Sequence, residues 1–164
     1  LIVFALFQPR KWEHYVDRLA ELKADFELLD EWEDRYRHVI ELGKTLAVFP
    51  DADRNTANKV SGCASQVWIT SERHGTTGNP ILSFAGDSDA LIVKGLIAIA
   101  FMIYSGKAAH DIVTIDAKPI LDELGLASHL TQQRSNGFAS MIARMKFDAA
   151  QALQEPARGG INGR

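Results

Sequence analysis

Residues 91–104, LIVKGLIAIAFMIY, constrain the fold more than any other stretch of this 164-residue chain. The run is apolar at nearly every position, broken only by Lys94 and Gly95, so a helix built from it has no face to leave to water. It is also shorter than the roughly 20 residues that cross a bilayer. The reading is a central helix buried on all sides, with a sheet against one flank and helices against the others. Asp87 or Ser88 is placed to cap its start, Asp89 falls in the first turn where the helix dipole favours an acid, and Gly106 marks the stop.

Two short β-prone runs precede it, QVWIT (66–70) and PILSFAG (80–86), separated by the turn-rich SERHGTTGN. They read as an antiparallel hairpin, to which Lys59-Val60-Ser61 adds a third, earlier strand. Upstream, residues 25–49 read as one amphipathic helix: Asp30 and Glu33 have capping-box spacing, Trp32, Tyr36, Val39, Ile40, Gly43 and Ala47 recur at helical spacing, and Pro50 ends it. Downstream, AHDIVTID and AKPILDELGL read as short helices, and residues 133–153 as a final helix preceded by a Ser135-Asn136-Gly137 turn. This order points to an α+β fold, a small antiparallel sheet of about three strands packed with several helices. One domain is expected over 25–153, with an N-terminal segment 1–24 of helical potential and a Pro/Gly-rich tail, 154–164, that frays.

A formal net charge of −3 offers no basic field for a phosphate backbone, which removes nucleic acid as a first-choice partner. The opening LIVFALF lacks a basic n-region and is too short for a signal-peptide core, so neither a leader nor a membrane span is expected. The chain starts without Met, and part of the natural N-terminus is expected to be missing. A single cysteine precludes an internal disulfide and a Cys-rich zinc or iron–sulfur site within one chain, and fits a reducing, cytoplasmic setting.

That cysteine, Cys63, stands in NKVSGCASQVWIT. The plain reading of a free cysteine is a small inert hydrophobe. The neighbourhood argues otherwise, because Gly62 frees the backbone before the thiol and Ala64-Ser65 add no bulk after it, as suits a loop onto which another molecule fits. Thiolate chemistry, as nucleophile or as carrier of a sulfur adduct, is what such a residue offers. A cysteine hydrolase needs a histidine base in reach, and none of His14, His38, His74, His110 and His129 has an identifying spacing. The apolar Val67-Trp68-Ile69 is placed to line a pocket for the thiol.

The string VSGCASQVWI resembles the signature of the SufE family of sulfur-acceptor proteins. WEDRYRHVIELGKTL, GDSDALIVKGLIA and HLTQQRSNGFASMI resemble further blocks of that family, in the same order, so that the likeness covers residues 28–150. The resemblance implies a SufE/IscU-like fold and a persulfide relay for iron–sulfur cluster assembly. A SufS-type cysteine desulfurase, which carries PLP, gives sulfur to Cys63, and Cys63 hands it to a SufBCD-type scaffold. The protein itself would hold no cofactor and no metal, and would be a carrier that stimulates the desulfurase rather than an enzyme.

The same resemblance implies roles for individual residues. Asp89, the second acid of GDSDA, would hold the cysteine loop at rest; Arg134 would contact the partner or steady the transferring sulfur anion, for which a planar guanidinium is suited. Gly62, Ser65 and Gln66 align with family residues around the cysteine, Gln66 as a hydrogen-bonding residue of the loop. The plain alternatives are a first-turn acid, a solvated arginine, and core packing for Trp68. Gln132 stands where the family usually has proline. A CsdE-like relay to another acceptor, and a pure interaction module in which Cys63 is dispensable, remain as other readings.

Overall fold

The computed structural model describes residues 14–75 and 78–154. Helices α1 (His14–Leu28) and α2 (Trp32–Gly43) lead through a loop containing a short 3₁₀ turn to the strands β1 (Val67–His74) and β2 (Ile81–Ser88). There follow α3 (Leu91–Tyr104), the two-residue β3 (Lys107–Ala108), the short helices α4 (Ala109–Thr114), α5 (Lys118–Glu123) and α6 (Leu126–His129), and the long α7 (Gln132–Gln154). The sheet is antiparallel in the order β1-β2-β3, so the architecture is α+β as expected.

Helix α3 is the axis of the molecule. From Ile92 to Tyr104 every residue except Lys94 is buried, which for each Ile, Leu or Val side chain is worth about 1.5–3 kcal/mol. The sheet covers one flank: Gly86 of β2 lies so close that an added Cβ would meet Phe101 at 3.1 Å and the Trp68 carbonyl oxygen at 2.8 Å. Helix α2 crosses another flank at Gly95, where a Cβ would fall 2.1 Å from the Val39 carbonyl oxygen. Helices α1 and α7 pack against the remainder. Gly106, at φ +80°, turns the chain out of α3, and its N–H bonds the Leu82 carbonyl at 2.8 Å, which starts β3 beside β2.

Several expectations need correction. The single helix over 25–49 is two, because Arg35 of α2 takes the last carbonyls of α1 with its side chain, donating to Leu29 O at 2.7 Å and Phe26 O at 3.0 Å. Asp30 makes no cap; Glu31 is at the N-cap of α2 without a side-chain bond, and α2 stops at Gly43. The third strand is Lys107–Ala108, whereas Lys59 makes only an isolated bridge to Trp68. β2 runs on through Asp87 and Ser88, so neither is the N-cap of α3, which is Ala90, and Asp89 lies before the helix rather than in its first turn. Ser135-Asn136-Gly137 is helical within α7 and not a turn. The 24/25 domain boundary falls inside α1, whose Leu22 and Phe26 are buried in the common core. At the other end α7 extends to Gln154, and the rest of the expected tail, like residues 1–13, lies outside the described residues.

Candidate functional site

The cysteine loop, residues 61–66, leaves and rejoins the sheet at a closed base. Val60 N–H donates to Val67 O at 2.8 Å and Ile69 N–H to Asn58 O at 2.9 Å, pinning the entry arm along β1. Gly62 then takes φ +89°, in the left-handed region that a side chain resists. It also lies against α7, where any Cβ would stand 2.6 Å from the Ser140 hydroxyl oxygen. That double requirement for glycine brings Cys63 down onto the helix.

There the thiol meets Gly137. Cys63 Sγ donates a weak bond to the Gly137 carbonyl over 3.5 Å, and a Cβ on Gly137 would just touch the sulfur at 3.6 Å. A larger side chain would take the sulfur's place, which is why the helix is bare at this position. The half-buried thiol opens onto a pocket of about 260 Å³. Ala90, Ile92, Val93 and Leu96 form its apolar wall, Gly137 and Met141 its floor on α7, and Ser65, Thr131, Gln133 and Arg134 its polar side. Burial pushes the Cys63 thiol above its ordinary pKa, so the resting form is the protonated, weakly nucleophilic one.

Val67-Trp68-Ile69 does not line this pocket. Successive strand residues alternate faces, so Val67 and Ile69 are buried in the core while Trp68 lies half-buried on the other face, opposite Asp87. Trp68 is thus not the core residue expected.

Asp89 lies at the exit arm. Its Oδ1 accepts the Gln66 N–H at 3.0 Å, and its own N–H donates to Gln66 O at 3.3 Å, so Gln66 is held through its backbone while the residue itself is exposed. Arg134, in the first turn of α7, is half-buried, with its guanidinium 5.7 Å from the Tyr36 ring centroid. The structure therefore brings Gly62, Cys63, Ser65, Gln66, Asp89 and Arg134 to one loop and the pocket beneath it.

The residues missed from the sequence are Gly137, the α3 wall and an ion cluster at Asp87. Asp87 Oδ2 accepts from Arg54 Nε at 3.1 Å and Nη2 at 2.6 Å, and its Oδ1 is 3.3 Å from Lys94 Nζ. Burial alone would raise its pKa, but hydrogen bonds from Arg54, the Ser88 backbone and Lys94 outweigh it and hold the carboxyl below the usual range. Asp87 and Gly137 were hidden by the local reading, Asp87 as a helix cap where β2 in fact runs on and Gly137 as a turn where α7 is in fact helical, so that Gly137 and Met141 share a helix face.

No described histidine lines the thiol's pocket. His38 pairs with Asp25 at 3.2 Å, His74 with Ser83 at 2.7 Å, and His129 stacks on Trp32 at 4.2 Å, so the base that a cysteine hydrolase needs is not among them. Among the described residues no cluster of three or more His, Cys, Asp or Glu is placed to hold a metal ion, and no helix is long and apolar enough to cross a membrane.

The family model of SufE, described as an Fe-S metabolism associated domain, matches residues 20–149. The chain belongs to the SufE family. An uncharacterised SufE-like protein of Rhizobium meliloti is 53% identical over 131 residues, covering 80% of this chain and 94% of that one. A second, from Rhizobium etli, is 48% identical over 141 residues, covering 86% and 95%. The solution structure of a hypothetical protein from Thermus thermophilus has the same fold, with a TM-score of 0.66 at 16% identity over 84% of this chain and 97% of that one. As a SufE domain the protein has a role in Fe–S metabolism. The SufE match begins inside α1 and ends inside α7, so it takes in the whole loop, pocket and α3 wall.

Proposed function

We propose that this SufE-family protein is a cytoplasmic persulfide relay, taking sulfur from a SufS-type, PLP-dependent cysteine desulfurase onto Cys63 and passing it to a SufBCD-type scaffold. The observation that supports the reading is the resting place of Cys63, half-buried on Gly137 at the mouth of a pocket with an apolar α3 wall, on a loop whose base is closed by the Val60–Val67 and Ile69–Asn58 backbone bonds. A persulfide needs both states, because an exposed one is open to oxidation and to reduction by cellular thiols, while a buried one cannot be handed on.

In the transfer, the Cys63 thiolate attacks the terminal sulfur of the partner's cysteine persulfide. The new S–S bond forms at Cys63 as the old one breaks, and its electron pair leaves with the partner's cysteine as thiolate, so no external oxidant or reductant is consumed. Swinging the loop out gives up the Sγ contact and the two Asp89–Gln66 bonds, a cost of about 1.5–4.5 kcal/mol, at about 0.5–1.5 kcal/mol per hydrogen bond, that partner docking can offset.

The test is intact-protein mass after incubation with a SufS-type desulfurase, PLP and cysteine. Wild type is expected to gain the mass of one sulfur, lost again with reductant, and Cys63→Ser to gain none. No gain with a desulfurase that turns over cysteine overturns the relay. Binding of the desulfurase by Cys63→Ser and wild type alike, without sulfur on either, would mark an interaction module instead.

A further inference from the structure

Asp87 and Asp89 lie two residues apart at the end of β2, and each carboxylate reaches a different arm of the cysteine loop. Asp89 takes the Gln66 N–H on the exit side. Asp87 takes Arg54, which belongs to the chain leading into the loop. That entry segment is continuous down to the thiol. Asn58 Nδ2 donates to Asp53 O at 2.9 Å and its N–H to Asn55 Oδ1 at 3.0 Å, Asn58 O receives Ile69 N–H, and Val60 is bonded to Val67. Arg54 is held from three sides: by Asp87, by Asp51, and by the Phe49 ring 5.8 Å below its guanidinium.

We infer that Arg54 and Asp87 are positioning residues for the relay, forming a clamp on the entry arm that complements the Asp89 tie on the exit arm and sets how readily Cys63 leaves its pocket. This inference rests on the proposed relay for its purpose, but its geometry concerns the loop alone. The pair is suited to the task. The Asp87 side chain is only 14% exposed, so the interaction is screened less than a surface pair, and Arg54 Nε and Nη2 together fix the arginine's orientation as well as its distance. Lys94 offers the contrast: it pairs with the same carboxylate but belongs to α3, so it ties β2 to the helix and leaves the arm untouched.

The contrast gives the experiment. Cys63 alkylation is timed at fixed pH, without any desulfurase, for wild type, Arg54→Gln, Arg54→Lys and Lys94→Gln, with thermal midpoints recorded for each. Arg54→Gln is expected to speed alkylation about tenfold, the scale of losing a part-buried charged hydrogen bond, Arg54→Lys to recover part of the restraint, and Lys94→Gln to stay within about twofold of wild type. A general loosening of the fold would move Arg54→Gln and Lys94→Gln alike in proportion to their lost stability, and that result overturns the clamp. An unchanged rate in Arg54→Gln also overturns it; if that variant does not fold, an unchanged rate in Arg54→Lys does so. Persulfide mass on wild type is read separately, so a failed relay and a failed clamp give different results.

Discussion

Gly62 and Ser140 face each other so closely that a Cβ on Gly62 would lie 2.6 Å from the serine hydroxyl oxygen. Because Gly62 also holds φ +89°, Gly62→Ala carries a backbone penalty of about 1–3 kcal/mol that the chain escapes by lifting the loop off α7. Cys63 alkylation should then rise by about tenfold. An unchanged rate with lowered stability would mean that the thiol keeps its place on Gly137 while the strain is absorbed elsewhere.

Removing the acceptor at Asp89 frees the exit arm. Asp89→Ala should raise the alkylation rate about threefold, with Asp89→Asn, which keeps an acceptor oxygen, close to wild type, since an exposed hydrogen bond of about 0.5–1.5 kcal/mol is lost only in the first. Equal rates for the two variants, measured by mass-resolved alkylation, would count against the tie.

The raised pKa of Cys63 makes its reactivity and its stability depend on pH in opposite directions. Reactivity should climb through an apparent pKa above the ordinary thiol value of 9.0, and the midpoint should fall back towards that value when the loop is released. For stability, the folded state keeps its proton to higher pH than the unfolded chain. The contribution is therefore fully present below the unfolded pKa and is lost as pH rises through the folded one. Denaturant midpoints of wild type and Cys63→Ser should diverge only above about pH 9, the ordinary thiol region, with wild type falling faster.

Arg134 lines the pocket without contributing to its closure, its guanidinium resting over Tyr36. Arg134→Ala should lower sulfur transfer to Cys63 by about tenfold in single-turnover mass kinetics, with the alkylation rate within about twofold of wild type. A fall in both would make the arginine a packing residue of the loop.

Gly95 tests the core. A methyl there would fall 2.1 Å from the Val39 carbonyl oxygen, in the backbone of a neighbouring helix that cannot rotate away, so Gly95→Ala should cost about 3 kcal/mol, read as a drop in the urea midpoint.

The periodic and compositional signals carried far. The all-apolar Leu91–Tyr104 became the buried axis, the two β-prone runs paired as a hairpin in register from Val67↔Ser88 to His74↔Ile81, and the family blocks pointed to the SufE fold and to the cysteine loop. Where the expectation failed, a contact outside the repeat of the element itself had decided. The break between α1 and α2 depends on Arg35 reaching back to Phe26 and Leu29, and the third strand depends on Gly106 bonding Leu82 across the sheet. Neither leaves a local mark, because a side chain that caps another helix looks like any solvated arginine.

What the sequence alone determined is the chemistry at hand and the elements that carry it: one thiol beside a glycine, a helix that must be buried, and two β-prone runs that pair as a hairpin. Tertiary structure decided the rest. It set Cys63 on the bare backbone of Gly137, 74 residues away, and made the wall of its pocket from α3 and α7 rather than from the neighbouring strand. It also gave Asp87 and Asp89 opposite arms of one loop to hold. The reason is physical: periodicity and propensity act over a few residues, whereas a thiol's burial, its pKa and its release depend on which distant surfaces pack against it.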